Sequence, residues 1–160
     1  MTRLACITML LFGIGLAACG GGDDDSGGDA PSKQEFAKNA EQICRNAEQE
    51  LEQIGEGASS PEDLSAALGK ALNRTRDAAD ELVNLERPEG VDGETATKFV
   101  EGFKEEFDAK LAPAIEDLRD AVKEKDQQAV EEAASKLQSL ENTESDKYAR
   151  QIGADACVGS

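Results

Sequence analysis

The chain has 160 residues, of which 17 are basic and 34 acidic, a formal net charge of −17 at neutral pH. That field repels phosphate backbones and anionic lipid headgroups, which argues against nucleic acid and against an electrostatically held membrane surface as partners. It attracts cations and basic peptides or proteins instead. With no histidine and no tryptophan, and both methionines (Met1 and Met9) near the N-terminus, the rest of the chain lacks the usual haem ligands, the imidazoles of zinc and copper sites and the commonest general base. No cofactor is expected.

Residues 1–18 have the three parts of a secretory signal: a positive charge at Arg3, an apolar run from Leu4 to Ala17, and small residues at its end. The run is shorter than the roughly 20 residues that cross a bilayer, so cleavage rather than anchoring is expected. Leu16-Ala17-Ala18-Cys19 resembles the lipobox of bacterial lipoproteins, in which the cysteine thiol is acylated and the chain is cut just before it. The resemblance implies that Cys19 becomes the first residue, that it carries a diacylglycerol thioether, and that Cys6 is discarded. Two or more acyl chains hold firmly where one binds only marginally, because each buried methylene contributes about 0.8 kcal/mol. The mature chain would then be extracytoplasmic, fixed to the cell membrane through lipid, with its charge moved to −18 by the loss of Arg3.

Residues 19–31 carry Gly20-Gly21-Gly22-Asp23-Asp24-Asp25 and no large apolar side chain. Such a segment buries too little surface to offset the entropy of ordering and is expected to be a tether with a span of roughly 20 Å. The three aspartates lack the spaced ligands and closing glutamate of a calcium loop.

Residues 32–160 form the remaining unit, rich in Ala, Leu, Glu, Lys and Gln at helical spacing, which predicts an all-α fold. Ser32 with Glu35 is a capping box, and Phe36, Ala40, Ile43, Cys44, Ala47, Leu51 and Ile54 step by three or four until Gly55 and Gly57. A second helix opens at Ser60-Pro61-Glu62-Asp63, buries Leu64, Leu68, Leu72, Ala79, Leu82 and Leu85, and stops before Pro88. A third runs from Asp92 to about Lys125. Pro113 within it cannot donate to the carbonyl of Ala109, so a kink or break is expected between those residues. A fourth opens at Asp126 and ends before Gly153. Short connections favour an antiparallel four-helix up-and-down bundle with its third helix kinked near Pro113.

Cys44 and Cys157 are left over once Cys19 is lipidated. Outside the cytoplasm a leftover pair is expected to form a disulfide. In an up-and-down bundle Cys44 sits about 18 Å along the first helix. The tail after Gly153 can reach roughly 15 Å when extended. The tail should therefore fold back along the first helix, or the fourth helix should stop short.

Phe99, Phe103 and Phe107 share one face of the third helix, and core filling is the plain expectation. The sharper one is that this ladder, opened near Pro113, lines an apolar ligand cavity between helices. The carboxylates, among them Glu105, Glu106, Asp108, Glu131 and Glu132, fall mainly on polar faces, and neither a metal site nor a catalytic residue is indicated. Lipobox, Gly/Asp tether, a helix carrying Ile43 to Glu48 and a cysteine near the end together resemble small helical lipoproteins of high-GC Gram-positive bacteria, a likeness that carries no activity with it. The expected function is that of a non-catalytic, membrane-anchored binding or structural module, with carriage or sensing of a small apolar ligand as the alternative.

Overall fold

The structure is a computed structural model that describes residues 30–140 and 144–158. The signal segment 1–18, the lipobox Leu16, Ala17, Ala18 and Cys19, and the tether as far as residue 29 lie outside the described residues. Among those described, every regular element is helical.

Helix α1 spans Lys33–Gly55, and its start is the capping box read from the sequence: Ser32 Oγ accepts from the Glu35 N–H at 3.3 Å while the Glu35 carboxylate accepts from the Ser32 N–H at 2.9 Å. Helix α2, Pro61–Val83, is capped by Ser60, whose hydroxyl oxygen accepts from the Asp63 N–H at 3.1 Å. Helix α3 spans Gly90–Glu106, two residues earlier than expected. Its first turn passes so close to the preceding loop that a Cβ on Gly93 would lie 2.1 Å from the Pro88 carbonyl oxygen, so only glycine fits there.

The interruption near Pro113 takes the form of a π-helical turn, Phe107–Leu111, in which the Ala112 N–H reaches back five residues to the Phe107 carbonyl. Helix α4, Ala112–Glu124, follows directly with Pro113 in its first turn. Proline has no N–H to give the next α-helical bond, and its ring crowds the carbonyl four residues before it. The wider turn accommodates both at one place without ending the chain's helical course.

A left-handed Lys125, φ 60°, closes α4, and Asp126 opens α5, Gln127–Gln138, by accepting from the Ala129 N–H at 3.1 Å. Where the sequence predicts a single fourth helix from Asp126 to Gly153, the described residues hold two, α5 and α6, the latter Glu144–Ile152. The two go to different neighbours: α5 lies on α4, whereas α6 lies on α3. A straight helix could not serve both, and each short helix follows the apolar face that receives it.

Two buried clusters result. One joins Phe36, Leu82, Phe99, Val100 and Ile152 from α1, α2, α3 and α6, all fully enclosed or nearly so. The other joins Leu72, Ala79, Phe107 and Ala112 further along, and half-buried Phe103 touches both. Among the described residues no helix is long and apolar enough to cross a membrane.

Candidate functional site

The chain reverses at Gly153, φ 89°, a conformation that other L-residues rarely adopt. The N–H groups of Gly153 and Ala154 both return to the Ala149 carbonyl, at 3.0 and 2.8 Å, so α6 ends in a tight cap and the tail is thrown against α1. There a short 3₁₀ turn, Asp155–Cys157, is held twice. The Ala156 N–H donates to the Glu41 carboxylate at 3.3 Å, and Cys157 is bonded to Cys44 with their Cα atoms 5.2 Å apart. Of the two geometric alternatives for this pair, the fold-back of the tail along α1 is the one realised, since α6 runs to Ile152, the end expected before Gly153.

This bridge stands at one end of a cleft of about 450 Å³. The second half of α1 forms one wall with Cys44, Ala47 and Leu51, successive members of its apolar stripe. The opposite wall is the end of α3 and the π-helical turn, through Phe103, Phe107 and Leu111. Ala156, Cys157 and Val158 close one side, and Leu140, Ser145 and Asp146 come from beyond α5 and from the start of α6. The cleft lies where the first half of α1 is covered by α6 and the tail, whereas its second half faces the end of α3 and the π-helical turn.

The phenylalanine ladder is divided by this geometry. Phe107 and Phe103 line the cleft, but Phe99 is fully buried among Phe36, Leu82 and Ile152 and does not reach it. One turn along α3 decides the difference: Phe99 is enclosed where α1, α2 and α6 meet, whereas Phe103 is half-buried and borders the cleft. The cleft residues not foreseen as such include Ala47, Leu51 and the tail residues Ala156 and Val158. The α1 stripe gave the periodicity of the first two but not the missing partner, and nothing local marks the tail.

Five charged residues line the apolar walls: Glu48 and Glu52 on α1, Glu106 at the end of α3, Asp146 on α6, and Lys110 in the π-helical turn. Glu106 has a structural task, accepting from the Ser145 hydroxyl and from the Glu144 N–H at 3.2 Å, so that a carboxylate caps the positive end of α6. Asp146 is buried with its own interactions. Glu48 and Glu52 are exposed and, among the described residues, have no ion-pair partner. Elsewhere three carboxylates are lowered in pKa by the groups that engage them: Glu35 by the Ser32 N–H, Asp63 by the Ser60 hydroxyl, and Glu62 by a backbone bond and Lys125. No group of three or more His, Cys, Asp or Glu side chains among the described residues is placed to hold a metal ion.

Compared with known protein families, curated proteins and solved structures, the chain matches none. The cleft therefore stands on its own geometry: apolar walls for a small hydrophobic body, closed at one end by a covalent bridge, with carboxylates along its rim.

Proposed function

We propose that this chain is a membrane-anchored, extracytoplasmic binding module with no catalytic role, and that the cleft between α1 and the π-helical turn takes up a small apolar ligand. The single observation behind the reading is the cleft itself. Its volume of about 450 Å³ falls within the roughly 300–1,000 Å³ of small-molecule sites, and its walls are apolar side chains from separate elements. Ser145 and Glu106, which could otherwise be taken for a nucleophile and its base, are accounted for by capping of α6.

The anchor belongs to the same reading and rests on the sequence alone: the signal at 1–18, the lipobox Leu16-Ala17-Ala18 and acylation of Cys19. The tether at 19–31 would hold the helical unit, 32–160, off a membrane whose anionic headgroups its charge repels. Architecturally the reading is of four antiparallel segments in up-and-down order, the third bent near Pro113 and the fourth divided into α5 and α6. Short connections and the pairing of α1 with α2, α2 with α4, and α3 with α6 support it. A basic protein or peptide is the second reading, favoured by the net charge of −17.

Native mass spectrometry of the mature chain purified from its host envelope tests all of this. The expected result is a chain beginning at an acylated Cys19 that carries an additional small mass, lost on denaturation and absent from the cleft-filling variant Leu51→Trp. An unacylated Cys19 would overturn the anchor. Equal loading of Leu51→Trp would overturn the cleft.

A further inference from the structure

Resting on the cleft as a ligand site, we infer that its ligand is a cationic amphiphile: an apolar body of small-molecule size bearing an ammonium or guanidinium head. Apolar walls select for size and shape but are indifferent to the sign of a head group, so the rim must decide it. Four carboxylates line the cleft, Glu48, Glu52, Glu106 and Asp146, against the single Lys110, a local charge of −3. An anionic amphiphile such as a fatty acid would meet one lysine and four like charges, inside a chain whose own charge is −17.

Glu48 and Glu52 give the preference a place. They stand four residues apart on α1, so they are neighbours on one face of the helix, and both line the cleft. Neither is engaged by another described residue, whereas Glu41, one turn before Cys44, is already held by Arg45 at 3.3 Å and by the Ala156 N–H. Two adjacent free carboxylates beside an apolar wall can share one cationic head, while the hydrocarbon enters between Leu51, Phe103 and Phe107. Such a head remains near solvent, so its desolvation cost is low and the preference is one of moderate size.

The test is a matched set of probes with one hydrocarbon chain and three heads: octyltrimethylammonium, 1-octanol and octyl sulfate. Each is titrated calorimetrically into the full mature chain held in phosphatidylcholine nanodiscs, with empty nanodiscs as the blank. The ammonium is expected to bind most tightly and the sulfate most weakly, with about a tenfold spread that narrows as salt is raised. In the double variant Glu48→Gln, Glu52→Gln, at exposed positions where the fold has no stake, the ammonium should lose several-fold in affinity and octanol should be unchanged. Sulfate binding as well as ammonium, or a double variant that leaves the ammonium unaffected, would overturn the charge inference while octanol binding abolished by Leu51→Trp kept the cleft. If none of the three binds, or octanol binds Leu51→Trp as well as the parent, the cleft reading falls and the inference with it.

Discussion

The two halves of α1 carry the same apolar pattern and meet different fates. Phe36 and Ala40 are sealed beneath α6, α3 and the tail, whereas Cys44, Ala47 and Leu51, continuing the same stripe, border an open cleft. The opposite wall behaves in the same way, since Phe99 is enclosed and Phe103, one turn later, is half-buried. An amphipathic stripe thus states only that a helix has a side to cover. Whether that side becomes core or binding surface depends on what the rest of the chain brings to it.

The most severe way to probe this contrast is to truncate one apolar side chain on each side. Phe99→Ala should cost about 3–5 kcal/mol in urea unfolding, as a fully enclosed phenylalanine does. Leu51→Ala, on the cleft wall, should cost only about 1 kcal/mol, because that side chain is only partly buried. Equal costs at the two positions would mean that the cleft is closed in solution and that the contrast does not exist.

The disulfide marks the border between the halves. Removing it through Cys44→Ser with Cys157→Ser should lower stability by about 2–5 kcal/mol, since the bridge spans 113 residues of sequence. The loss should appear with release of the tail, read as faster hydrogen exchange at the Ala156 amide, and with weaker octanol binding at the cleft. Unchanged binding would show that the tail is not part of the cleft wall.

Gly93 sharpens the sealed side. Gly93→Ala forces a methyl group against the Pro88 carbonyl and should cost about 1–3 kcal/mol, with a drop in melting temperature and no effect at the cleft.

The smallest effect concerns the α1 cap, at the sealed end. Glu35 is lowered in pKa by its bonds to Ser32, so the folded protein binds that proton less readily than the unfolded chain does. The capping contribution is therefore complete above the ordinary value of 4.5 and is lost as pH falls below it through the lowered folded value. In carboxyl-resolved NMR the Glu35 titration should lie below 4.5 in the parent and return toward it in Ser32→Ala, with exchange at the start of α1 accelerating over that same interval while the cleft amides remain unaffected.

Caps and breakers were legible because they act within four residues. Ser32 with Glu35, Ser60 before Pro61, and Asp126 each place an oxygen where a helix start leaves N–H groups without partners, and the structure uses all three. The Cys44 to Cys157 pairing was legible by a different route, from the count of cysteines and the reach of a tail freed by Gly153. The cleft was only half legible. Phe103 and Phe107 could be picked out as a ladder, but Phe99 has the same spacing and a different environment, so spacing could not separate them.

By itself the sequence determined that the described chain is helical, where α1, α2 and α5 begin, and where proline would disturb one helix, because propensity, capping and the absence of a proline N–H are local matters. Tertiary structure decided that the disturbance would be a π-helical turn, that the last predicted helix would divide between α4 and α3, and that half of one apolar stripe would stay open. Those outcomes depend on which surfaces are already occupied when two elements meet, and such occupancy is a property of the whole assembly that no window of residues contains.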